Sequence, residues 1–171
     1  MGTIENISLQ KIWSILEEVC DPEVPVLSVI DLGIIRDVTW RRIKDEEGIE
    51  VVITPTYSGC PAMDVIRMNI RMVLLEHGYK NVQITTVLSP AWTTDWMSEA
   101  GKHKLKAYGI APPNPKQQVC NTQLFAEDEA VACPHCNSYN TRRISEFGST
   151  ACKSLFQCND CQEPFDYFKC Y

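Results

Sequence analysis

Two CxxC pairs constrain this chain more than any other feature: "CPHC" at Cys133–Cys136 and "CNDC" at Cys158–Cys161. Each short turn aims two thiolates at one point, and two such knuckles supply the tetrahedral sulfur set that zinc prefers. Residues 137–157 separate them, slightly more than the roughly 15–20 residues of common two-knuckle sites. That length suits a β-hairpin, with "TRRISEFG" and "SLFQC" as its strands. A tail of about forty residues buries too little surface to fold by itself, so bound zinc has to supply much of its stability. The expected ligands are Cys133, Cys136, Cys158 and Cys161, and four thiolates leave zinc no open position, which marks the site as structural. His135, inside one knuckle, reads better as a neighbour of the metal than as a ligand. Cys152 reads as a packed hairpin residue.

Seven of the nine cysteines lie from Cys120 onward. In a reducing compartment such clustering points to metal or redox chemistry rather than to a disulfide framework. Sixteen Lys plus Arg face twenty-two Asp plus Glu, for a formal net charge of -6. Neutralising phosphates takes clustered cations, so neither nucleic acid nor an anionic membrane is an expected partner. The opening "MGTIENISLQ" carries no basic or apolar leader pattern, and no apolar run is long enough to span a bilayer. A cytoplasmic location is expected.

Ahead of the tail the pattern is α+β. Apolar residues at Leu9, Ile12, Trp13, Leu16, Val19 and Cys20 have helical spacing, with Ser8 as the expected cap and "DPEVP" as the stop. "SVIDLG" reads as a short turn closed by Gly33. "IIRDVTW" and "GIEVVITPT" read as strands joined by the polar turn "RRIKDEEG", and "NVQITTVL" as a third strand. Between the second and third strands, Met63, Ile66, Ile70, Val73 and Leu74 mark a helix from Ala62 to His77 with Gly78 beyond its end. This βαβ unit implies a parallel pair with a right-handed crossover. The expected fold is therefore a small α/β domain, a three-stranded mixed sheet with flanking helices, followed by a zinc-ribbon β-hairpin domain. A third helix is expected at about Thr94 to Tyr108. The "PPNP" run cannot continue a helix or enter a central strand. Boundaries follow at residues 1–112, a linker at 113–130, and a ribbon at 131–171.

"TPTYSGCPAMD" holds a lone cysteine, Cys60, at the end of the second strand and the start of the following helix. Open α/β sheets place their sites there, and the free N–H groups of a helix start favour an anion. A thiolate in that position has a lowered pKa. Thr54 and Thr56 precede it, and Pro61 suits the first helical position. A buried free cysteine capping a core helix accounts for the same spacing. No Cys/His/Asn arrangement of a thiol protease surrounds it, so no independent catalytic constellation is expected. Asp21 and Glu23 in "CDPEVP" could be a solvated cap or carboxylates aimed at a metal or partner.

"DPEVPVLSVIDLGIIRDV", "TPTYSGCPAMDVI" and "SPAWTTDWMSEAGKHKLKAYGIAPP" together resemble the iron-sulfur assembly domain of SufT-type proteins. The cysteine-rich tail is similar to the zinc ribbon of the phenylacetate-degradation PaaD family. The family pattern maps onto Asp21, Glu23, Asp31, Gly33, Thr54, Thr56 and Cys60. The resemblance implies an accessory factor that matures or delivers iron-sulfur clusters, or helps load a di-iron centre, with Cys60 as a thiolate ligand or transfer group. Its clients would be the oxygenase and reductase of a phenylacetyl-CoA epoxidase, or other iron-sulfur proteins. One cysteine supplies one of about four cluster ligands, so a transient cluster calls for a homodimer, a bound thiol or a client residue. The alternative implied role is a structural or regulatory subunit that docks on the epoxidase, with the ribbon and the "FDYFKCY" end as its surface.

Overall fold

The computed structural model describes residues 4–113 and 131–169. Cys120, Cys170 and most of the expected linker lie outside the described residues. The chain forms two compact units, Met1–Ser98 and Glu99–Tyr171.

In the first unit a helix, α1 (Ile4–Leu16), precedes a three-stranded sheet of β1 (Ile35–Ile43), β2 (Glu46–Ile53) and β3 (Val82–Thr86), with α2 (Ala62–Glu76) between β2 and β3. The order is β1-β2-β3, antiparallel then parallel. This is the expected mixed sheet with its βαβ unit. Ile49, Val51 and Ile53 of β2 point to one face, where they join Ile12, Ile15 and Leu16 of α1 and Ile66, Ile70 and Leu74 of α2 in the core. Glu50 points to the opposite face, where it accepts a 2.7 Å hydrogen bond from Thr85 and pairs with Arg41. Those two partners hold its carboxyl below the usual range, the Thr85 bond first.

Several boundaries differ from expectation. The first helix begins at Ile4, so Ser8 lies within it instead of capping it, and it stops at Leu16 ahead of "DPEVP". The strands of the hairpin run longer than their apolar pattern, and the connection shrinks to Lys44 and Asp45 at φ 50 and 68. Two consecutive left-handed residues make a type I′ turn, whose twist matches that of the strands. The expected third helix is broken into a 3-10 turn, Thr94–Trp96, and a helix, α3 (Glu99–Ala107). At the break, the Ser98 N–H donates to the Asp31 carbonyl at 2.9 Å and its hydroxyl to Asp31 Oδ1 at 2.7 Å. Asp31 Oδ2 also accepts from the Ser28 N–H, so the "DLG" aspartate works as a joint within the fold.

In the second unit, β4 (Ile110–Ala111), β5 (Thr141–Ser145), β6 (Lys153–Cys158) and β7 (Pro164–Phe168) form a sheet in the order β4-β7-β6-β5. The hairpin of β5 and β6 is as expected, and the sheet extends beyond it. "PFDYF" is an inner strand with Phe165, Tyr167 and Phe168 each at most 4% exposed. Those aromatics therefore belong to the core and do not form a docking surface. Phe156 stacks on Phe165 at 5.9 Å and meets Tyr167 edge-on at 5.6 Å. The parallel strand β4 comes from ahead of the expected linker and brings Ala111 into this core.

Candidate functional site

The tail brings its four CxxC cysteines to one point. Their sulfur atoms all lie within 4.8 Å of one another, with Cys133 Sγ to Cys161 Sγ at 3.7 Å and Cys136 Sγ to Cys158 Sγ at 3.5 Å. A tetrahedron of Zn–S bonds of roughly 2.3 Å has edges of roughly 3.8 Å, close to the two separations across the knuckles, so the set suits a zinc ion. The Cys161 N–H points at Cys158 Sγ at 3.5 Å, and this bond leads in lowering the Cys158 thiol to about 7. At Cys161 the Glu163 N–H favours the thiolate, but burial and the three other sulfurs outweigh it and push the thiol up to about 12. Four thiolates this close repel one another unless a cation sits among them. His135 is exposed and is not one of the four. Cys152 is buried, with Thr150 Oγ1 and Cys152 Sγ 3.0 Å apart, in keeping with a packed hairpin residue.

An outer layer that spacing did not reveal joins the two knuckles. Asp160 accepts from the Asn140 side-chain amide at 2.7 Å and from the Ser138 hydroxyl at 2.5 Å. Each knuckle carries its own half of the bond: an aspartate inside "CNDC" and small polar residues just after "CPHC". Such partners hold ligating loops in place.

Cys60 lies one residue ahead of Pro61, which caps α2 with helical φ of -68. The segment from Thr54 onward descends from β2, anchored where the Thr54 N–H donates to the Ile34 carbonyl at 2.9 Å. Thr54 is 1% exposed, and its hydroxyl is buried with no hydrogen-bond partner among the described residues. Cys60 is half-buried, and its thiol is raised where the helix start suggests it should fall. Burial is the largest cause, and Glu23 and Asp21 add to it, while the Ala62 N–H and the Thr56 side chain oppose it. The fold thus gathers Cys60, Thr56, Glu23 and Asp21 into one electrostatic neighbourhood. Their donor atoms do not converge, since among the described residues only the four tail cysteines come close enough to hold a metal together. Asp21 and Glu23 reach the site on a loop that closes when the Asp21 N–H donates to the Leu27 carbonyl at 2.9 Å. Asp21 Oδ1 caps that loop, accepting from the N–H groups of Glu23 at 2.6 Å and Val24 at 2.9 Å.

Residues 9–85 match the family described as iron-sulfur cluster assembly protein, and residues 117–169 match the PaaD zinc beta ribbon domain. The chain is 46% identical over 170 residues, 99% of its length and 98% of the relative's, to an Escherichia coli (strain K12) protein named as one subunit of a "Putative 1,2-phenylacetyl-CoA epoxidase". It is 38% identical over 91 residues, 53% of this chain and 83% of the relative, to a Porphyromonas gingivalis protein named "Fe-S protein maturation auxiliary factor". Among solved structures, a DUF59 domain of Bacillus anthracis matches with a TM-score of 0.53 and 26% identity, covering 59% of this chain and 93% of that one. These matches define the class: an iron-sulfur assembly domain carried together with a zinc ribbon. Within it, the chain belongs to the PaaD family, and its ribbon is built to bind structural zinc. No described helix is long and apolar enough to cross a membrane.

Proposed function

We propose that this protein is an accessory factor of a phenylacetyl-CoA epoxidase system that assists iron-sulfur or di-iron maturation of the oxygenase and reductase components. It acts in the cytoplasm and catalyses no reaction of its own. Cys60 is the residue that handles the cluster, with Asp21, Glu23, Thr54 and Thr56 around it. One placement carries this reading: the fold sets a half-buried Cys60 just ahead of α2 and brings the closed loop with Asp21 and Glu23 into its electrostatic neighbourhood. Negative charges beside a thiol oppose a bare nucleophilic thiolate, but they attract a cationic iron that takes the proton's place. The electrostatics therefore favour metal cargo over covalent catalysis. The relatives' names, an epoxidase subunit and Fe-S maturation factors, support the same assignment.

The test is anaerobic cluster loading followed by transfer to the apo-reductase, read by visible absorbance and iron content. Cys60→Ser is expected to lose most of the transferable cluster while zinc content and fold stay unchanged. Loading and transfer at the wild-type rate would defeat the proposal. The name of the Escherichia coli relative also favours a second reading, a docking component of the epoxidase. Stable co-purification with the oxygenase, with no effect on cluster content, would select that role instead.

A further inference from the structure

α2 has a second apolar face. Its buried side, Met63, Ile66, Ile70 and Leu74, faces the core. On the opposite side Val65, Met68, Met72 and Leu75 stand 39%, 56%, 49% and 53% exposed. An outward helix face is ordinarily polar. The four are spaced three, four and three residues apart, which is the a-d-a-d seam of a heptad repeat. Arg71 and Glu76, both exposed, lie on opposite shoulders of the seam, five residues apart. That is the g-to-e′ offset by which parallel paired helices exchange charges.

We propose that this face is the dimer interface of the protein, pairing α2 in parallel with α2 of a second copy. The seam is its own complement: each apolar residue meets its counterpart, and Arg71 of each copy meets Glu76 of the other. Antiparallel packing of the same residues would set Arg71 against Arg71. An isolated fifteen-residue helix has to be nucleated before it can pair, whereas α2 is already held by its buried face. A short seam can therefore serve here where it would fail in a free peptide.

The parallel arrangement has a consequence that rests on the carrier reading of Cys60. It brings both Cys60 residues to the same end of the seam, ahead of two helices whose axes would lie about 8–10 Å apart. The dimer then presents two Cys60 thiols at one end, one from each chain, and each can supply one cluster ligand while a client or small thiol supplies the rest.

The test is sedimentation of the full-length, zinc-loaded protein over a wide range of concentration. Wild type is expected to form a reversible dimer, and Met68→Lys, a change on an exposed face, to raise its dissociation constant at least about tenfold. Arg71→Glu and Glu76→Arg are each expected to weaken the dimer severalfold, and the double exchange to restore it. A monomer throughout, a dimer indifferent to Met68→Lys, or a double exchange that fails to restore association would each overturn the interface. Cluster loading separates this proposal from the carrier reading. A seam-dependent dimer that loads a cluster equally well with Cys60→Ser keeps the interface and removes the carrier role. A monomer that loads through Cys60 does the reverse.

Discussion

At Cys60 backbone and side chains pull in opposite directions. The Ala62 N–H and Thr56 favour the thiolate, while burial, Glu23 and Asp21 oppose it more strongly. Position at a helix start suggested a lowered thiol because a sequence shows which residue precedes a helix and hides which carboxylates fold up beside it. Here they arrive on a loop about forty residues earlier in the chain. The sign of their effect can be measured. Asp21→Asn with Glu23→Gln removes two charges that raise the thiol, so its pKa falls and a larger fraction is thiolate at neutral pH. Alkylation of Cys60 by iodoacetamide, followed by mass spectrometry at pH 7, is expected to quicken severalfold. An unchanged rate would show that the carboxylates do not act on the thiol. Asparagine can keep the loop cap that Asp21 Oδ1 provides, so the comparison leaves the fold intact.

Among the elements, those with a strong local period were legible and those set by distant contacts were not. The βαβ unit is visible because alternation in "GIEVVIT" gives way to helical spacing after Pro61. The hairpin turn was hidden because Lys44 and Asp45 are not the Asn-Gly type that usually announces a type I′ turn. The third helix was overextended because its break depends on Ser98 being clasped by Asp31, a contact between residues 67 positions apart. β7 went unseen as an inner strand because a run of five residues opening on proline looks like an edge or a tail. The joint around Asp31 also governs Gly33, at φ 67, where a Cβ would fall on the Trp96 backbone carbonyl. Gly33→Ala therefore meets both a left-handed backbone and a backbone clash. It is expected to destabilise the protein by about 1–3 kcal/mol in urea unfolding, and a loss within a few tenths of wild type would contradict the placement of that turn.

For the molecule as a whole, the four zinc ligands were the most legible feature, since a metal site is written in ligand identity and spacing. Their outer partners, Asp160 with Ser138 and Asn140, were not, because hydrogen bonding between knuckles depends on how the hairpin registers. Zinc binding is expected to dominate the stability of the second unit, because its core gathers around buried Cys133 and Cys158. Chelation in the intact protein should strip hydrogen-exchange protection from β5, β6 and β7 while leaving β2 and α2 protected. Equal loss in both units would mean that the metal supports the whole chain.

One strand bears on how the protein can be taken apart. β7 hydrogen-bonds on one side to β6 and on the other to Ile110–Ala111, which the chain lays down before residues 114–130. A polypeptide starting at residue 131 would carry every zinc ligand and still present β7 with an open, aromatic-rich margin, a template for fibril-like stacking. A proteolytic nick inside 114–130, by contrast, would leave Asp166 and Tyr167 of that margin paired with Ile110 and Ala111, though without a covalent tie between the two strands on that side.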